Sequence, residues 1–354
     1  MENSDILKII ISSVLSFVIG MVITPYVSLV LYKYKMWKKK SVSIATDGAN
    51  ATLTTKLHND EERKVPRMGG VIVWQSVIIV SLFLYILHIL FPDYLFGELI
   101  FLNRNQTIIP FAVLIGMSLI GLIDDYLVCQ ESHKKQGLSV KLRLAIVGLS
   151  GLLISLWFYF KIDITYIHLP FMGNISTPFV LLAFLFIFAI IGTYAGGVID
   201  GIDGLAGGVF AIMFAGYGVV SFSLGYFDIA ALCLAITGGL CAFLWFNIPP
   251  ARFFLSDTGT MGLTTTLATI AFFTNTLFIL PIIGLPLVVT VLSDIIQLAS
   301  KKMRNGKKVF LVAPLHNHFQ ILGWPPYKVT MRYWVLTIMC TFCGVILVLL
   351  DKTY

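Results

Sequence analysis

The chain has 354 residues, 58% of them hydrophobic and 12% charged, with a net charge of +7 and a mean hydropathy of +0.90. Soluble domains carry about a quarter charged residues, so this composition excludes a water-soluble globular protein and indicates a polytopic membrane protein. Five cysteines, Cys129, Cys233, Cys241, Cys340 and Cys343, lie in or beside apolar runs without metal-ligand spacing. They read as small buried hydrophobes, and no disulfide framework is implied.

At about 20 apolar residues per span, the sequence predicts an all-α membrane fold of ten transmembrane helices. In chain order they fall at roughly 6–32, 69–91, 108–126, 142–160, 177–195, 205–224, 227–246, 260–274, 277–298 and 331–350. The first run has no small-residue cleavage pattern before its basic flank, so it is expected to stay as a span. If the loop after it is cytoplasmic, 21 of the 25 Lys and Arg fall on inner loops and their flanks, against Lys8, Arg104, Lys161 and Lys352 outside. The positive-inside rule then places both termini on the outer side. One domain, 1–354, would carry cytoplasmic active-site loops at 33–68, 124–142, 195–205, 247–260 and 299–330. On the outer side, ITYIHLPF, MGN and ISTPF predict a small β-hairpin that turns at Gly173 and Asn174.

Three of the apolar runs abut acidic segments. Asp124 and Asp125 end the third span in GLIDDYLV, Asp200 and Asp203 follow the fifth in GGVIDGIDGLAGG, and Asp257 precedes the eighth in FFLSDTGT. Carboxylates are costly near hydrocarbon, so their gathering at span ends is a functional signal, and the orientation above puts all five on one face. Asp124 and Asp125 sit at a helix C-terminus, where the dipole disfavours them. They are either a solvated helix end or part of a site where a cation, or Lys141 and Arg143 nearby, offsets the repulsion. Asp257 is either an N-cap or a ligand. Gly259 permits close approach, a helix N-terminus favours phosphate, and Mg²⁺ is commonly held by one or two carboxylates plus substrate phosphates. The glycine-rich loop is a flexible turn or a ligand-facing backbone, and two acids three residues apart weigh against a mere turn.

The 299–330 loop contains KKMRNGKKVFLVAPLHNHFQILGWPP. Lys301 through Lys308 read as topology determinants and contacts to membrane lipids, and no nucleic acid polymer is expected as a partner. His316 and His318 lack a third ligand nearby and make a poor zinc site. Hydrogen bonding to a phosphate or sugar suits them better.

GLIDDYLV, the D-G-I-D-G-L-A run, WFNIPPARFFLSDTG and APLHNHFQILGWPPYKVTMRYW, in this order between such spans, resemble the polyprenyl-phosphate N-acetylhexosamine-1-phosphate transferases. The last segment is most similar to the phospho-N-acetylmuramoyl-pentapeptide transferase branch. The resemblance runs from PRMGG at 66–70 through the final span. It implies a ten-helix, Mg²⁺-dependent enzyme of the bacterial cytoplasmic (inner) membrane. Such an enzyme moves a sugar 1-phosphate from a UDP-sugar, UDP-MurNAc-pentapeptide in that branch, to undecaprenyl phosphate, giving lipid I and UMP in peptidoglycan synthesis. It further implies Asp257 as the metal ligand, Asp124 and Asp125 as the catalytic acidic pair, and His316 and His318 as two of three clustered histidines. Asp200, Asp203, Asn247 and Phe254 match nucleotide-side positions, with Phe254 stacking on uracil, and Arg143 is expected to bind substrate. A homodimer is among the oligomeric states left open.

The chain departs from the pattern at four places. Asn317 stands between the histidines, Tyr194 and Gly197 replace an Asn-rich approach to the Asp-Gly loop, and Thr290 occupies a membrane-facing acidic position. The fourth is ERKVPRMGG, whose Pro-Arg-x-Gly-Gly form resembles the GlcNAc-1-phosphate transferase branch, so that activity is the alternative. An ion-coupled transporter, which would place its polar groups near the bilayer midplane, and an inactive homologue are readings of other classes.

Overall fold

The computed structural model describes residues 3–37, 64–92, 98–130, 137–163 and 165–353. Most of the 33–68 loop, part of 124–142, and the basic residues Lys38, Lys39, Lys40, Lys56, Arg63, Lys134 and Lys135 lie outside the described residues. The elements in chain order are α1 (Asn3–Lys33), α2 (Val71–Leu90), α3 (Ile108–Cys129), α4 (Val140–Lys161), β1 (Tyr166–Leu169), β2 (Gly173–Ser176) and α5 (Phe179–Ala195). A 3₁₀ turn (Gly196–Ile199) leads to α6 (Leu205–Ser223), α7 (Phe227–Asn247), α8 (Ser256–Phe273), short α9 (Leu280–Ile283), α10 (Leu285–Met303), short α11 (Leu315–Ile321) and α12 (Pro326–Leu350).

Among the described residues, eight helices are long and apolar enough to cross a membrane: α1 to α5, α6, α7 and α12. Helices also form at the two remaining predicted positions, α8 and α10, but each is too polar to qualify, for different reasons. In α8 every residue except Asp257 is buried. The helix packs against α3 and α5 and touches α2, α4 and α6, so none of its polar groups meets lipid. Its threonines close on their own backbone, Thr264 to Thr260 O at 2.6 Å, Thr265 to Met261 O at 2.6 Å and Thr269 to Thr265 O at 2.8 Å. Helix α10 is amphipathic with its polar row inward. Thr290, Ser293, Gln297 and Ser300 are buried, while Leu292, Ile295, Ile296 and Leu298 are exposed. Thr290 therefore does not face the membrane as expected; its hydroxyl donates to Pro286 O at 2.7 Å.

Small residues let α8 reach the middle. A Cβ on Gly121 of α3 would meet Asp257 O at 2.0 Å, and one on Gly262 of α8 would meet Ser118 Oγ at 2.0 Å. Close backbone approach of this kind is how helices gain packing energy where no hydrophobic effect drives them together. On the outside of the bundle, Ile10, Val14, Val18 and Val22 of α1 form an exposed apolar stripe, as suits a hydrocarbon solvent.

The strands pair antiparallel, Tyr166 with Ser176 and Leu169 with Gly173. The hairpin is as predicted, but the turn uses Pro170, Phe171 and Met172, and Gly173 and Asn174 belong to β2. Phe171 takes the left-handed φ of 63° that the turn needs. This hairpin marks one pole of the molecule. His168 N donates to Asn275 Oδ1 at 3.1 Å, and His168 Nε2 meets Asp351 Oδ2 at 3.0 Å. Lys8 and Asn103 both reach Asp228 at the start of α7. The ends of α1, α3, α7, α8 and α12 that gather here leave the acidic segments at the opposite pole.

Candidate active site

Helix α8 begins without a cap of its own: its N-cap position is Leu255, and no side chain there accepts a hydrogen bond. The first backbone N–H groups of a helix need partners, and two carboxylates from elsewhere in the chain supply them. Asp200 Oδ2 accepts from Ser256 N at 2.7 Å, and Asp125 Oδ2 accepts from Thr258 N at 2.8 Å and from the Thr258 hydroxyl at 2.7 Å. The positive end of the helix dipole offsets the charge of both acids. Asp257 lies between these capped positions and is not itself the cap. Its side chain keeps 24% exposure, against 0% for Asp125 and 1% for Asp124. Of the two readings open for Asp257, the N-cap is corrected: Asp200 and Asp125 do the capping.

Two arginines flank it. Arg67 gives Nε and Nη2 to Asp125 Oδ1 at 2.9 and 2.8 Å, with Nη2 3.9 Å from Asp257 Oδ2. Arg143 Nη1 bridges Asp124 Oδ2 at 3.2 Å and Asp257 Oδ2 at 3.1 Å. Asp124 Oδ1 also accepts from Leu138 N, just past Gly137. The solvated-end reading of Asp124 and Asp125 therefore fails: both are buried and paired. Burial works against a charged Arg67, but Asp125 and then Asp257 outweigh it, so the guanidinium is held protonated more firmly than usual.

A strap of backbone holds Arg67 in place. Phe254 N donates to Pro66 O at 2.9 Å, Gly69 N to Phe254 O at 2.8 Å, Gly70 N to Leu255 O at 3.2 Å, and Arg67 N to Met36 O at 2.7 Å. A Cβ on Gly70 would lie 2.3 Å from Gly259 N, so the Gly-Gly pair admits the entry into α8.

The nucleotide-side candidates lace the Asp-Gly loop to the segment before α8. Asp203 Oδ2 accepts from Ala251 N at 3.0 Å. Asn247 accepts from Gly204 N at 2.9 Å and donates to Phe253 O at 2.8 Å. Phe254 is half-buried while its neighbour Phe253 goes into the core against Phe243 and Phe246. Burial, partly offset by the Ser256 N–H and by Arg67, pushes the Asp200 carboxyl up to about 6. His316 is buried against the same loop, its Nε2 2.5 Å from where a Gly201 Cβ would sit. His318 faces the other way, with Nδ1 accepting from Leu311 N at 3.2 Å and its ring edge-on to Phe310.

The structure thus brings Asp124, Asp125, Asp257 and Arg143 into one cluster. It joins Asp200, Asp203, Asn247 and Phe254 to it through the 247–256 segment, sets His316 beside Gly201, and shows no contact of His318 with the acids. Three participants were missed in the sequence: Arg67, Thr258 and Tyr194, whose phenol interacts with Arg143. Arg67 had a signal, a cation inside a Pro-x-x-Gly-Gly turn next to a span. Among the described residues, no three His, Cys, Asp or Glu side chains group to hold a metal ion by themselves.

Known proteins share these segments. The Glycosyl transferase family 4 model matches residues 107–275, the stretch from the start of α3 to the end of α8 that contains all five acids. The phospho-N-acetylmuramoyl-pentapeptide-transferase of Staphylococcus carnosus is 30% identical over 95% of this chain and 98% of its own length. Its namesake from a Geobacillus species is 30% identical over 95% and 96%, and that from Staphylococcus aureus strain JH9 is 32% identical over 95% and 98%. With the acid cluster inside the matched region and likeness at this level along nearly the whole length, the chain belongs to the phospho-N-acetylmuramoyl-pentapeptide-transferase family.

Proposed function

We propose that this protein transfers phospho-MurNAc-pentapeptide from UDP-MurNAc-pentapeptide to undecaprenyl phosphate, giving lipid I and UMP for peptidoglycan synthesis. The observation that carries the reading is the convergence of five acids from three separate segments on the start of α8, with two guanidiniums between them. If all are ionised, that cluster holds an excess of three negative charges. Two anionic substrates enter such a place favourably only with a further cation. Asp257, the least buried of the Asp124, Asp125 and Asp257 carboxylates, with Asp124 beside it, fits Mg²⁺ as a donor set of one or two carboxylates completed by substrate phosphate. When bound, the metal supplies charge neutralisation on the pyrophosphate and on the departing UMP.

The chain's own residues do the positioning. Arg143 holds Asp124 and Asp257 together, Asp125 fixes the start of α8 against α3, and Asp200 fixes it against the 196–204 loop. The uridine end lies along Asp203, Asn247 and Phe254, with His316, which is packed against Gly201, on the sugar or phosphate side. An oxygen of the lipid phosphate attacks the β-phosphorus in line, the α–β phosphoanhydride bond breaks, and UMP leaves with that electron pair. A phosphate monoester has its second pKa at about 6, so the nucleophile is ionised at neutral pH and needs no strong base. No covalent phosphosugar on Asp is required.

In this reading all ten long helices span the bacterial inner membrane as one domain. Both termini are outside and the acid pole faces the cytoplasm, as the distribution of Lys and Arg supports. The deciding experiment offers UDP-MurNAc-pentapeptide and UDP-GlcNAc separately to purified protein with undecaprenyl phosphate and Mg²⁺. UMP release from the first donor is expected. Release from UDP-GlcNAc alone, or from neither, refutes the assignment.

A further inference from the structure

The guanidinium of Arg67 is only partly used by the protein. Nε and Nη2 go to a single oxygen of Asp125, and Nη2 stands 3.9 Å from Asp257. Nη1 makes no hydrogen bond among the described residues, and 26% of the side chain is exposed. Neutralising one buried carboxylate would take only a point charge. A planar fork with one edge unused among the described residues has the geometry for a phosphoryl group. Its backbone is already fixed on three sides, by Met36 O, by Phe254 N and by the Gly69 bond to Phe254 O. Little conformational freedom is therefore lost when an anion binds. The excess of carboxylates around it makes an intrinsic cation most useful at this point.

We propose that Arg67 is a phosphate-binding residue of this site, its Nη1 edge donating to a phosphoryl oxygen of the donor's pyrophosphate or of the acceptor's monoester. The proposal rests on reading the site as a phosphosugar transferase. It gives the 66–70 strap, which lies outside the Glycosyl transferase family 4 match, a direct part in substrate recognition.

Equilibrium binding of UDP and of uridine, with no metal added, separates phosphate recognition from base recognition. If the pyrophosphate is the ligand, Arg67→Ala weakens UDP binding roughly tenfold to a hundredfold, the range for a hydrogen bond to a charged group, and leaves uridine binding as in the wild type. If the acceptor phosphate is the ligand, both nucleoside probes bind as before, and KM for undecaprenyl phosphate rises by a similar factor while KM for the donor holds. Either result supports the proposal. Arg67→Lys, which keeps a charge on Asp125 but loses the fork, should show a smaller loss in the same arm. It decides the matter if the alanine variant fails to fold. Unchanged UDP affinity and unchanged KM for both substrates, with kcat alone reduced, overturn the proposal and leave Arg67 a positioning residue for Asp125. A wild-type protein that binds UDP yet releases no UMP from any donor is a different result, against the transferase reading itself.

Discussion

At the scale of single residues, three neighbouring carboxylates divide structural and chemical duty by their exposure. Asp125 spends both oxygens on the protein, one on Arg67 and one on Thr258, so Asp125→Asn breaks the buried ion pair, while its one carbonyl oxygen can keep the cap. Losing one partner of a buried pair costs about 3–5 kcal/mol, and thermal unfolding in detergent should register it along with lost activity. Asp257 caps nothing, and its removal leaves Arg67 on Asp125 and Arg143 on Asp124. Asp257→Asn is expected to abolish Mg²⁺-dependent transfer while costing less stability than Asp125→Asn, because it leaves both arginines paired. If both variants lose equal stability, the proposed separation of roles is wrong. In the sequence these acids were visible as a group, because the distribution of Lys and Arg put them on one face. Which acid was structural was not visible, since the partner of each lies on a distant segment.

At the scale of elements, the seam between α3 and α8 sets where the acids stand. Gly121 touches the peptide of Asp257, and a Cβ there would lie 2.0 Å from its carbonyl oxygen. Gly121→Ala must therefore push the start of α8 away from Asp125. Overpacking of this kind costs about 1–3 kcal/mol, and a shift of α8 should lower transfer at least tenfold. Gly116, on the same helix, has nothing within 4 Å of the place a methyl group would take. Alanine at 116 should leave activity intact and raise stability slightly through helix propensity, by up to about 1 kcal/mol. Equal effects at the two sites would show that the seam does not control the site. The hydropathy of the chain disclosed the apolar helices well. It also placed α8 and α10, but it could not show that most of their polar groups close on their own backbone or on inner neighbours, a tertiary fact that no window of sequence contains.

At the scale of the whole molecule, the two poles carry different chemistry: hairpin, His168 and Asp351 at one, the acids and arginines at the other. Burial pulls the Asp351 carboxyl up, but hydrogen bonds from Thr353, His168 and Phe171 N outweigh it and hold the group below the usual carboxylate range. The hairpin pole is thus tied to the end of α12 by an anion. The proposed orientation predicts that a reporter fused after Tyr354 reads as external, and that a thiol introduced at Asn305 reacts only with reagents reaching the cytoplasm. The opposite labelling pattern would invert the active site and exclude a donor made in the cytoplasm. The order of the helices was legible in the chain, because hydropathy is a local property. The hairpin turn was misplaced by two to three residues, since Phe171 takes a left-handed φ as well as Gly173, and composition marks only the glycine.

The pairing of Asp125 has a bearing on how the chain is made. Arg67 precedes it by 58 residues, whereas Thr258 follows it by 133. During synthesis the cation is made before the acid and the cap long after it, so the ion pair can form before the cap exists. The final hydrogen bonds form only when α8 arrives, so the reactive arrangement of charges is completed late, after most of the surrounding helices are in place.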